Sequence, residues 1–247
     1  DSIFNAHFDK SKKPREIIRM MKDRYRANPE HYVLFNILML YRDQYCYQPW
    51  TELMEVFADN SPLHSYKCLF IYHNLRKRHL AHPGGEELKL DLFRKWEAMK
   101  DLCGRNNLWV EAFGAALQQA SISDEYFINY ITFVDYNLDK LMNHPSIQHV
   151  KKLEVIEAVK EFLKDNIQNN KFSNWIQAIL YEIDGDLDSS VDCRVKDYRK
   201  HKNPMVIVRK LYSIKEFDRL EAFLNKELES DPENKEIGDS LKRFEIL

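Results

Sequence analysis

Glycine and proline are scarce in this chain, at 6 and 8 of 247 residues. Sandwiches, barrels and dinucleotide-binding sheets need many turns and many glycines, so the scarcity argues against them and for helices. Cysteine is also sparse. Cys46, Cys68, Cys103 and Cys193 lie far apart with no CxxC pair, which suggests neither a disulfide framework nor a zinc knuckle and fits a reducing compartment. No apolar run approaches the roughly 18 residues a membrane helix needs. Excess charge is missing as well: 37 basic against 39 acidic side chains leave a net charge of −2. Such a chain has no global attraction to nucleic acid, only the option of a local patch. Also absent are GxSxG, HExxH, a glycine-rich phosphate loop, and the kinase and dinucleotide fingerprints. With no convergent acid, base and nucleophile, the expectation is a non-catalytic protein with no metal, no cofactor and no small-molecule substrate.

What remains is helical. Hydrophobic residues make up 44% and aromatics 13% of the chain, enough to pack a substantial core with large rings. Apolar residues recur every three to four positions, which predicts helices over 13–27, 30–43, 49–59, 62–81, 86–103, 105–120, 124–142, 146–169, 171–183, 188–201, 204–213, 215–230 and 234–245. Prolines 29, 49, 62, 145, 204 and 232 stand at or near the predicted starts, where a missing N–H costs little. Asp124 and Ser173 are expected to cap the helices that follow them. In the helix over 146–169, Ile147, Val150, Leu153, Ile156, Val159 and Leu163 are expected to share the buried face. Leu88, Leu92, Trp96 and Met99 do the same in the helix over 86–103. Short connections predict antiparallel neighbours. The expected architecture is all-α, with antiparallel helix pairs stacked as a right-handed solenoid; a compact irregular helical domain is the alternative. Residues 1–12 read as a flexible segment before a single helical-repeat domain over 13–247, with a soft break near 82–86. The opening "DSIFNAHFDKSKKPRE" has no secretory pattern.

Two stretches carry a resemblance. In "EFDRLEAFLNKELESDPEN", 216–234, Phe217, Phe223, Leu224 and Pro232 stand where the second helix of a tetratricopeptide repeat places its aromatic, bulky and closing residues, and Ile207 and Leu211 occupy apolar places of the first helix. Leu220 and Glu227 depart from the small residues of that motif. Trp175, Ala178 and Glu182 resemble the first helix of a half-a-tetratricopeptide (HAT) repeat. Phe127, Tyr130 and Val134, and Tyr32, Phe35 and Met39, show the aromatic pair without the acid. The resemblance implies a scaffold that binds proteins within a multi-subunit assembly. For the HAT type it implies RNA processing or ribosome assembly.

Several clusters invite chemistry. Asp184, Asp186 and Asp188 alternate like calcium ligands, yet Ser189 and Val195 stand where an EF-hand loop needs glycine and a bidentate glutamate. The trio is therefore expected to be a turn around Gly185 whose aspartates cap the next helix. His73, His79 and His82 lie close together without a zinc pattern. Cys103, before Gly104 at a helix end, lacks the positive helix N-terminus that activates a thiol and reads as a packing residue. Two basic clusters are more informative. Arg76, Lys77 and Arg78 form one; Arg194, Lys196, Arg199, Lys200 and Lys202, around Tyr198, form the other. Each either binds RNA phosphates or complements a helix C-terminus. Tyr41, Tyr45, Tyr47 and Trp50 crowd one helix–helix turn, too many for one buried face.

The resulting expectation is a protein-binding scaffold in which a partner helix or extended segment lies in a groove near Tyr45, Tyr47 and Trp50, or on a face near Tyr198 and Tyr212. The cluster Lys12-Lys13-Pro14-Arg15, read as a nuclear-import signal, favours the nucleus over the cytoplasm, in RNA processing or transcription. Direct RNA binding through the basic clusters is the alternative. No membrane contact is expected.

Overall fold

A computed structural model describes residues 51, 54, 55, 57–59, 61–145, 149–168, 171–201 and 205–245. The expected helices over 13–27 and 30–43, and the residues Tyr45, Tyr47 and Trp50, lie outside the described residues. From Pro62 onward the described residues form, in order, α1 Pro62–Arg76, α2 Gly85–Arg105, α3 Trp109–Ala120, α4 Phe127–Met142, α5 His149–Asp165, α6 Ser173–Ile183, α7 Leu187–His201, α8 Met205–Ser213, α9 Phe217–Ser230 and α10 Lys235–Glu245. No strand occurs among the described residues. None of the described helices is long and apolar enough to cross a membrane.

The punctuation has local causes. Pro62 opens α1, where the missing N–H is one the helix leaves unpaired in any case. Between α2 and α3, Asn107 takes φ 57°, a left-handed conformation that asparagine tolerates better than most residues and that cannot continue a helix. The predicted start at 105 is thereby moved to Trp109. Ser123, not Asp124, accepts from the Glu125 N–H at the start of the short 3-10 turn before α4. Ser173 is already the first residue of α6, and its expected cap does not form. Gly185 takes φ 81° between α6 and α7, and of the three aspartates Asp186 caps α7, its Oδ1 accepting from the Ser189 N–H.

The chain divides into two compact units, with the boundary in sequence between Tyr130 and Ile131, inside α4. In the first unit, α1, α2 and α3 pack against one another. Its core holds Cys68, Leu69, Leu92, Trp96, Met99, Cys103, Val110 and Phe113, all buried. Gly114 lies against Tyr66; a Cβ there would collide with the phenol oxygen. Trp96 Nε1 donates to His73 Nδ1 at 3.0 Å in the interior, so the imidazole must stay neutral at that nitrogen. Burial, aided by Lys77, holds its pKa down at about 4. The Cys103 thiol is pushed up to about 12 by burial first and by Glu111 second, which makes it an inert packing group.

In the second unit α5 packs on α6, α6 on α7, α7 on α8, α8 on α9 and α9 on α10. Ile207, Leu211, Leu220, Phe223, Leu224 and Ile237 form one apolar core across α8, α9 and α10. Of the tetratricopeptide-like positions, Ile207, Leu211, Phe223 and Leu224 thus share a core, whereas Phe217 is 41% exposed. One expectation about α5 fails. Ile156, Val159 and Leu163 are buried, but Val150 is 69% and Leu153 49% exposed. The reason is geometric. A step of three residues falls about 60° short of a full helical turn, so three such steps, from Val150 to Val159, carry the stripe to roughly the opposite side of the helix.

Candidate interaction surface

Among the described residues, an extended buried charge cluster lies inside the second unit. Asp135 on α4 accepts from Arg194 Nη1 at 3.0 Å and Nη2 at 2.6 Å, a bidentate pair from α7. Trp175 Nε1 on α6 donates to the same carboxylate at 2.9 Å. Arg194 also reaches Glu182 at 2.9 Å. Lys210 on α8 pairs with Glu182 at 2.6 Å and donates to the Asp135 carbonyl at 2.8 Å. Two carboxylates thus face two cations, and all four side chains are at least nine-tenths buried. Burial alone would raise the Asp135 pKa, but Arg194, Lys210 and Trp175 hold it below the ordinary carboxylate range. The same partners raise Arg194 against its own desolvation. Each of the four charged side chains is buried beside one of opposite sign, so the cluster ties helices to one another.

This corrects one expectation directly. Arg194 was to be part of an exposed cationic strip; it is 3% exposed and engaged on both sides. In the strip only Lys196 is shown exposed. Tyr198, Arg199 and Lys200 lie on α7, but their side chains are outside the described residues, as is Lys202 altogether. In the first unit, Arg76 is half-buried at the end of α1, while Lys77 and Arg78 are exposed on the 3-10 turn Lys77–His79.

Trp175, Ala178 and Glu182, the HAT-like trio, do lie on the inner side of α6, since Ala178 is fully buried and the other two enter the charge network. Sequence reasoning missed Asp135 and Lys210. A signal existed. Asp135 follows Ile131 by four and precedes Leu138 by three, and Lys210 follows Ile207 by three, so both charges stand on apolar faces. A charge there must be paired.

The alternating aspartates diverge. Asp184 pairs with Lys160 at 2.7 Å, Asp186 caps α7, and Asp188 pairs with Arg219 at 2.6 Å. No group of three or more His, Cys, Asp or Glu side chains among the described residues is arranged to hold a metal. Tyr212, at the end of α8, is 49% exposed and meets Phe217, 41% exposed at the start of α9, edge to face with ring centroids 5.8 Å apart. Lys215, in the turn between them, has φ 61°. No family model matches this chain, and neither a curated protein nor a solved structure matches it.

Proposed function

We propose that the protein is a non-catalytic helical-repeat scaffold, in which antiparallel helix pairs stack as a right-handed array of the tetratricopeptide or HAT type and hold a partner protein within a multi-subunit assembly. The observation that carries this reading is the exposed Tyr212–Phe217 pair at the α8–α9 turn. Two large rings already packed on each other lose little conformational freedom on binding, which is what an interface anchor needs. The inward-facing charges support it too, because they are used up in fixing helix against helix. A nuclear setting, in RNA processing or transcription, rests on the Lys12 cluster and the repeat resemblance. Tyr45, Tyr47, Trp50 and Tyr198 remain further anchors of the same proposal.

The test is quantitative co-purification from nuclear and cytoplasmic extracts with the wild-type chain, Tyr212→Ala and Phe217→Ala. A defined set of nuclear proteins should be retained by the wild type and reduced about tenfold or more by either variant, as expected for a hot-spot ring. Retention of one unaltered set by all three chains would overturn the assignment of the anchor. Binding to a single-stranded RNA pool that falls steeply with salt and is lost in Lys77→Ala/Arg78→Ala would replace the scaffold reading by direct RNA binding.

A further inference from the structure

The outer side of α5 is built from two kinds of residue. Val150 and Leu153 open it, 69% and 49% exposed. Glu154, Glu157 and Glu161 continue it at steps of three and four, all exposed, and Lys164 and Asp165 end it. These seven positions lie within about 60° of one line along the helix. The helix cannot roll to hide its valine and leucine, because Val159 and Leu163 on the opposite side are fully buried. Its first turns are also tied down, since Lys152 Nζ donates to the Met142 and His144 carbonyls. Lys160, the cation on the flank, is already held by Asp184 at 2.7 Å and by Glu157 at 3.7 Å. Glu154 and Glu161 have no ion-pair partner among the described residues. An aliphatic pair followed by a row of glutamates is thus presented on a fixed helix, exposed among the described residues.

We propose that this face of α5 docks a cationic amphipathic segment of another protein, whose Lys or Arg side chains meet Glu154, Glu157 and Glu161 while an aliphatic or aromatic anchor covers Val150 and Leu153. Charge selects this occupant. Two copies of α5 placed face to face would set carboxylate against carboxylate. An anionic membrane surface would be repelled by the same row. A basic helix with apolar residues at steps of three and four matches both parts of the face at once.

The proposal is tested on the full chain by fluorescence anisotropy with three labelled synthetic helical peptides: a Leu/Lys peptide with its leucines on one face, the Leu/Glu counterpart, and a Lys/Ser peptide without leucines. The Leu/Lys peptide should bind tightest. Its Kd should rise about tenfold or more in Val150→Ser/Leu153→Ser and again in Glu154→Gln/Glu157→Gln/Glu161→Gln. All five side chains are exposed, so both variants should melt like the wild type. Tyr212→Ala should leave this binding unchanged, which separates failure of this surface from failure of the aromatic anchor. Equal binding of the Leu/Glu peptide, or affinity unaffected by both variants, would overturn the proposal. So would self-association in sedimentation equilibrium that Val150→Ser/Leu153→Ser abolishes, since the occupant would then be a second copy.

Discussion

Gly114 shows how a single residue carries structural information that its type alone does not. It sits in the middle of α3, where alanine would favour the helix by about 1 kcal/mol, yet a methyl group there would run into the Tyr66 hydroxyl. Gly114→Ala should therefore lower stability by about 1–3 kcal/mol in urea unfolding, the usual cost of overpacking. Adding Tyr66→Phe, which removes the obstructing oxygen, should restore most of it, and a double-mutant cycle measures the coupling. Composition announced only that glycine is rare. That Gly114 is sterically required is a property of the neighbouring helix α1 and cannot be read along the chain.

Helices as elements were largely legible, because amphipathic periodicity and proline placement are local physics. What the period did not reveal was the direction in which each helix faces. In α5 a run of steps of three looked like one apolar stripe, and it winds from solvent to core. In α7 a basic run looked like one cationic strip, and it turns Arg194 inward while Lys196 stays outside. The inward charges tie elements to one another: α6, α7 and α8 all reach Asp135 on α4. Asp135→Asn would leave Arg194 and Lys210 buried with less compensating charge. The expected loss is about 3–5 kcal/mol, seen as a lowered urea midpoint with an unchanged m-value. Asp135→Asn/Arg194→Met, which removes the stranded cation as well, should recover part of that loss.

Over the whole molecule, the two units should differ in their response to acid. In the first, His73 is held at about 4 against an ordinary value of 6.5. Its unfolded form binds the proton first, so its contribution is complete above pH 6.5 and is lost as pH falls toward 4, on the order of 2–3 kcal/mol. In the second, Asp135 is held below its ordinary 3.8, so its contribution is complete above the carboxylate range and is lost only as pH falls below it. An acid titration should therefore change the signal of Trp96, which bonds His73, before that of Trp175, which bonds Asp135. Single-tryptophan variants followed by fluorescence would check the order, and simultaneous loss would contradict it. The sequence by itself determined that this is a chain of helices, where most of them start and stop, and that Ile207, Leu211, Phe223 and Leu224 belong to a core, because those features depend on neighbours a few residues away. Only the tertiary structure decided which charges are sealed inside, which aliphatic residues are left outside, and where the chain divides into two units. Those outcomes depend on side chains brought together from helices as far apart in sequence as Asp135 and Lys210, and no local pattern encodes that meeting.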